Sequence, residues 1–168
     1  NPDVIISYKN IRLLVSKLKI NDIIISPILL NDDNSVQDFI RRFPTLLDLI
    51  FRFFNTSKNY SLNYFGNNLK KVPFAHGACY ILKPSTFFKL GMFDTRYFLY
   101  CEDLDLCRSA HTKGGGVYVD QSVRVIHYFN RESKRSIKLF IVHCISLFKY
   151  FIKWGFLRDS KTNTINKL

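Results

Sequence analysis

Short strand-forming runs alternate with helical stretches along this sequence, and that order predicts a mixed α/β fold. Residues 4–20 place Ile11, Leu14, Val15 and Leu18 at helical spacing with lysines between them. Asn21-Asp22 breaks that pattern, and Ile23-Ile24-Ile25-Ser26 reads as a short buried strand. Asn31 to Ser35 is a turn by composition, and Thr45 to Phe54 (TLLDLIFRFF) a short helix. Residues 55–71 are polar and Asn-rich, which predicts a surface loop with order returning at Val72. Phe74 to Leu82 reads as a strand, and Pro84 can open a helix running to about Leu90. Glu102 to Lys113 is the next helix, with carboxylates at its positive end and Gly114-Gly115-Gly116 at its finish. Val117-Tyr118-Val119 and Val123 to His127 are two short strands or one interrupted strand.

Ser136 to Phe156 is a long amphipathic helix. Lys138, Ser146, Lys149 and Lys153 fall on one face, and lysines interrupt the segment too often for a membrane span of ~20 apolar residues. Two readings stand: a helix lying in the plane of a membrane surface, or one packed on its own domain. The division expected is a domain over 1–135 and a basic helical tail over 136–168.

With 168 residues, 47% of them hydrophobic, the chain can bury a core of its own. Lys and Arg number 25 against 13 Asp and Glu, a formal net charge of +12. That balance suits a polyanionic partner: nucleic acid, anionic lipid headgroups or a diphosphate. A basic solvated surface is the plain alternative. The basic residues are scattered and form no nucleic-acid reader motif, so no nucleic-acid partner is expected. Cys79, Cys101, Cys107 and Cys144 form no CxxC pair and read as free thiols. Cys107 and His111 share a helix face, but without a second ligand pair they define no zinc site.

The densest chemistry lies at Tyr100-Cys101-Glu102-Asp103-Leu104-Asp105-Leu106. Three carboxylates in four positions are costly to crowd unless cations or hydrogen bonds separate them. Glu102 and Asp105 share a helix face at i,i+3, while Asp103 points elsewhere. Spacing alone leaves two readings, a capped solvated helix start or a general base beside an aromatic run.

From His76 to His127 the sequence resembles the C-terminal signature of family 2 glycosyltransferases, especially bacterial rhamnosyltransferases of O-antigen and other surface polysaccharides. The matching pieces are Ala75-His76-Gly77-Ala78-Cys79-Tyr80-Ile81-Leu82, the turn Gly91-Met92-Phe93-Asp94, the block Tyr100 to Leu106, and Val125-Ile126-His127. Upstream, Arg42-Phe43-Pro44 and Asn1-Pro2-Asp3-Val4 match as well, the latter as the family's Asn-Pro-Asp form of the metal-binding Asp-x-Asp motif. The resemblance implies the C-terminal part of a GT-A type fold, a mixed sheet flanked by helices. It also implies inverting transfer from a nucleotide-sugar donor. The donor expected is a dTDP-sugar such as dTDP-rhamnose, and the acceptor a polyprenyl-diphosphate-linked glycan at the inner face of the plasma membrane, with anionic lipid as a further partner. Carried over, Asp103 becomes the base and Glu102 and Asp105 its supports. His76, Gly77, Asp94, Arg131 and Arg135 become substrate-binding residues, and Asp3 and His127 ligands of Mg²⁺ or Mn²⁺. Lys134 joins the basic run that would meet diphosphate.

The chain departs from the family pattern at Gly115-Gly116 and at Asp120, where Pro is common. The family's N-terminal half is not seen, which leaves Asp3 expected at a free chain end with no preceding strand to fix it. An enzyme that is incomplete as this chain is therefore expected, with an inactive remnant or a membrane-surface binding module as the alternative.

Overall fold

The computed structural model of this chain describes residues 1–19, 23–46, 48, 68–113, 115–128, 136–157 and 160–168. Its described residues form an α/β structure built on a four-stranded mixed sheet and a separate two-stranded antiparallel sheet. The elements are β1 Val4–Ile5, α1 Tyr8–Ser16, β2 Ile23–Leu30, β3 Ile40–Arg41, β4 Leu69–Val72 and β5 Phe74–Ala75. They continue with α2 Pro84–Leu90, α3 Glu102–Thr112, β6 Gly116–His127, α4 Ile137–Trp154 and α5 Ser160–Ile165.

β6 organises the sheet. Along one edge it pairs in parallel with β2; along the other it pairs antiparallel with β4 and, at its far end, with β1. Every residue of β2 is buried, as expected of a strand covered on both faces. The strand is longer than the Ile23–Ser26 run predicted, because Pro27 does not end it. The register instead jumps from Pro27 opposite Asp120 to Ile28 opposite Arg124. Pro27 has no N–H to give the ladder, so a bulge in the partner costs nothing there. Asp120 fixes the bulge: its Oδ1 accepts from Ser122 N at 2.9 Å, Ser122 Oγ at 2.7 Å and Lys17 Nζ at 2.7 Å. One interrupted strand, not two, is the outcome.

Three other expectations are corrected. Val4 and Ile5 leave the predicted first helix for the sheet, and α1 starts at a Ser7 cap that accepts from Asn10 N. Of its apolar positions Leu14 is buried, while Ile11 and Val15 stay exposed. Order returns at Leu69 rather than Val72, since β4 pairs with residues 117–120 of β6. The expected strand over Phe74 to Leu82 stops after Ala75, because the next amides are diverted. His76 N bonds to Phe39 O and Gly77 N to a carboxylate, and Ile81 pairs separately with Ile25.

Thr45 and Asp48 exchange cap hydrogen bonds at a helical turn. The remainder of the helix expected there, and residues 55–67 of the loop, lie outside the described residues. α3 begins at Glu102 and ends near Lys113 as read from sequence. The core lies between the sheet and α3, with Phe39, Phe43, Leu106, Cys107 and Ala110 buried against β2 and β6.

α4 rests on the body through its polar side. Ser146 Oγ donates to Leu99 O at 2.7 Å and Lys149 Nζ to Arg96 O at 2.7 Å, while Tyr150 is buried. Of the face read as lysine-bearing, Ser146, Lys149 and Lys153 meet the body while Lys138 stays exposed, and Ile137, Ile141, Ile145, Phe148 and Ile152 turn out. Beyond it, Asn166 clamps Phe43, accepting from its N at 2.8 Å and donating to its O at 3.0 Å. Among the described residues no helix is long and apolar enough to cross a membrane.

Candidate active site

The turn from Tyr97 to Cys101 delivers the acidic block, and it does so under strain. Tyr100 and Cys101 both have φ of 67°, the left-handed region. For residues other than glycine this costs on the order of 1–3 kcal/mol each and is found where geometry matters to function. The payoff is a helix whose first turn aims its carboxylates in different directions.

Asp103 reaches back to the segment after β5. Its Oδ2 accepts from Gly77 N at 2.9 Å and its Oδ1 from Leu104 N at 2.8 Å. Two amides fix the carboxylate in one orientation, and each oxygen keeps a lone pair for a further proton or hydroxyl. The contact requires glycine: a Cβ on Gly77 would lie 2.6 Å from Asp103 Cβ. Neither atom is the flexible end of a side chain, so the backbone would have to move. Gly77→Ala is therefore expected to break the Gly77–Asp103 bond and lower stability by about 1–3 kcal/mol, read by thermal denaturation.

Glu102 is half-buried, and its Oε2 is buried without a hydrogen bond from the described residues. Burial, and then the neighbouring charge of Asp103, push its carboxyl above the usual range. Asp105, one turn on, is buried and meets α4. Its oxygens accept from Lys153 Nζ at 2.8 Å, Trp154 Nε1 at 2.6 Å and, at 3.4 Å, Tyr97 OH. Lys153 also donates to Asp94 at 2.9 Å, and Arg96 grips the same carboxylate with Nε at 2.9 Å and Nη2 at 2.6 Å. The Arg96 guanidinium, with Lys153, holds Asp94 well below the usual carboxylate range. Asp94 and Asp105 are thus brought together as anchors of α4.

Asp3 and His127 also meet. β1 pairs with the end of β6, so Asp3 is held by a strand that follows it, and Tyr128 N bonds to Asp3 O at 2.9 Å. The strand that holds Asp3 thus comes after it in the chain rather than before it. Asp3 Oδ2 lies 3.4 Å from His127 Nε2. Gln37 Nε2 donates to the His127 carbonyl at 2.7 Å, which turns Gln37 Oε1 toward Nδ1 at 2.9 Å. Nδ1 therefore carries the proton in the neutral ring, and Nε2 presents its lone pair toward the carboxylate. Asp3 Oδ1 is buried and accepts no hydrogen bond from the described residues. One carboxylate and one imidazole nitrogen facing each other fit a hard divalent cation whose other ligands are oxygens of substrate and water. No group of three possible metal ligands occurs among the described residues. The His76 ring lies tilted with its centre 6.4 Å from that of His127. Arg131 and Arg135, with Lys134, lie outside the described residues.

A cleft of about 420 Å³ opens beside Gly77, lined by Val4, Ile6, Cys79, Tyr80, Phe87 and Phe93 among others. Tyr80 donates to Ala75 O and touches Cys107 Sγ. Burial pushes the Cys107 thiol up to about 12, and His111 Nε2 sits against the Val72 and Pro73 carbonyls. Neither is available to a metal. Sequence reasoning missed Gln37, Tyr80 and the Lys153–Trp154 pair as partners of the site. Only Lys153 carried a signal, as a charge recurring on one face of the last long helix.

No family model matches the chain. Two curated proteins do. Rhamnosyltransferase WbbL of Escherichia coli (strain K12) is 26% identical over 175 residues, covering 100% of this chain and 66% of its own length. The low-salt glycan biosynthesis hexosyltransferase Agl10 of Haloferax volcanii is 30% identical over 128 residues, covering 76% of this chain and 40% of its own length. The chain thus spans less than two thirds of either relative.

Proposed function

We propose, from the premise that this chain is related to glycosyltransferases, that it forms the acceptor side of an inverting sugar transferase of GT-A type. The observation that carries the reading is the Gly77–Asp103 contact, which holds one carboxylate of the acidic block beside an open cleft. In the proposed reaction an acceptor hydroxyl oxygen attacks the anomeric carbon of a nucleotide-sugar. The new C–O bond forms as the bond to the diphosphate breaks, its electron pair leaving with the phosphate. Asp103 takes the hydroxyl proton, at an oxygen whose direction the two amides have fixed. Asp105 and Asp94 keep α3 in register through Lys153, and Gly77 lets the carboxylate approach.

Asp3 and His127 would hold Mg²⁺ or Mn²⁺, which offsets charge on the departing diphosphate. Arg131 and Arg135 stand close in sequence to His127 and suit the same diphosphate. The names of the relatives, a rhamnosyltransferase and a hexosyltransferase of glycan biosynthesis, support transfer of a hexose-type sugar in glycan building. Within that class we propose a deoxyhexose such as L-rhamnose from dTDP-rhamnose, and a polyprenyl-diphosphate-linked glycan on the cytoplasmic face of the plasma membrane.

Titration calorimetry with dTDP-rhamnose tests the donor and the metal together. Binding is expected with Mn²⁺ and is expected to weaken about 10–100-fold when Gln37→Leu frees the His127 ring. Equal binding with and without metal counts against Asp3 and His127 as ligands. No binding in either condition turns the reading to a non-catalytic module.

A further inference from the structure

We infer that the outward face of α4 is a docking surface for an anionic lipid bilayer. The helix is amphipathic in reverse. Its polar side, with Ser146, Lys149 and Lys153, is bonded to the body, while its apolar side is left to the surroundings. Ile137, Phe140, Ile141, Ile145, Phe148 and Ile152 are between 49% and 79% exposed. Ile137, Ile141, Ile145, Phe148 and Ile152 recur at intervals of three and four residues, with Phe140 beside Ile141, so they form one stripe along the helix, and no charged residue interrupts it. Lys138 stands at its flank, exposed.

Size and charge select the occupant. Eighteen helical residues give a ridge roughly 27 Å long and about 10 Å wide. That is on the order of 300 Å², well short of the roughly 800 Å² per partner of a stable protein interface. A bilayer has no such threshold, because a single helix immersed to the acyl boundary binds by apolar area plus attraction to anionic headgroups. The charge agrees: Lys138 stands exposed at the edge of the apolar stripe, within a chain of net charge +12. The inference extends the lipid-linked acceptor proposed above by naming the surface that would meet the membrane. It is read without turnover, so either can fail alone.

The test is co-sedimentation of the chain with phosphatidylglycerol vesicles and, separately, phosphatidylcholine vesicles. Phosphatidylglycerol is expected to bind at least about tenfold more tightly, weakening as salt rises. Ile141→Ser with Phe148→Ser is expected to lower that binding about a hundredfold. Both side chains are exposed, so the double variant should keep the parent's circular dichroism. Phe88→Ser, at an equally exposed ring on α2, should leave binding unchanged. Cys144 is exposed on the same helix, and a polarity-sensitive fluorophore there, with Cys79→Ser, should shift to the blue on phosphatidylglycerol vesicles. Absent binding, or binding that the double variant leaves intact, overturns the inference. So does a lipid-free dimer, abolished by the double variant, in a chain that ignores vesicles; the occupant is then a second copy.

Discussion

Asp103→Asn should lower turnover of the full-length protein by about 10²- to 10⁴-fold, with donor binding little changed. Asparagine matches aspartate in size, so Gly77 can still approach. One of its two terminal atoms is now an NH₂ group, however, facing the Gly77 or Leu104 amide, and losing that acceptor costs about 1–3 kcal/mol. A purely bracing Asp103 would therefore reduce stability and leave kcat within a few-fold. Glu102→Gln is the necessary companion. Its Oε2 is buried without a hydrogen bond from the described residues and its carboxyl is pushed up, two marks of a proton acceptor in a cleft. The variant with the larger fall in kcat identifies the base; near-normal turnover in Asp103→Asn would show the assignment to be wrong. A pH series separates the two again. The Glu102 carboxyl binds its proton more tightly folded than unfolded, so it withdraws stability as pH rises from its unfolded to its folded pKa. Glu102→Gln should remove that loss, making the variant gain on the parent from acidic to neutral pH in denaturant titrations.

The second large effect is on folding. Arg108→Ala is expected to lower stability by about 3–5 kcal/mol in urea titration. Arg108 is 5% exposed and spans three elements. From α3 it donates to Tyr150 OH at 2.9 Å and Trp154 O at 3.3 Å on α4, and to Thr162 Oγ1 at 2.7 Å on α5. Its guanidinium also lies 5.1 Å from the Trp154 ring centre and 5.7 Å from those of Phe43 and Tyr150. Truncation leaves a cavity and strands polar groups in it, each a cost of about 1–3 kcal/mol. Arg108→Lys keeps the charge but offers a point donor in place of a fork, so it should recover only part of the loss. A fall within 1 kcal/mol for the alanine variant would mean that the cage is wet.

What was legible in the sequence was mainly local chemistry. Pro84 opens a helix, another ends just before the glycines at 115 and 116, Asn31 to Ser35 makes a turn, and acidic residues crowd the start of α3, all from forces acting over a few residues. Non-local pairings were not legible. The strand over Phe74 to Leu82 failed because the Gly77 amide had a better acceptor 26 positions away. β4 was hidden because Leu69 to Val72 alternates poorly and earns its place only by pairing with β6. The tail shows the limit most plainly. Spacing put Lys149 and Lys153 on one face, but a helical period cannot say which face meets the body. That was decided by the Arg96 carbonyl and the Asp94 and Asp105 carboxylates, some 50 residues earlier. Of the candidate site, the acidic block and the Asp3–His127 meeting follow the motifs, while the directions of the three carboxylates needed coordinates.

Lys153 sits between two carboxylates from separate parts of the chain, one before the strained turn and one after it. Pulling α4 away would leave Asp94 and Asp105 facing each other across a vacated cation, so the turn and the helix should open together or not at all. In hydrogen exchange they would behave as one cooperative unit, with the amides of 94–105 and 137–154 sharing a single opening energy. A protease able to cut within the last helix would then be a reporter on the turn that carries the acidic block, although the two are some 50 residues apart.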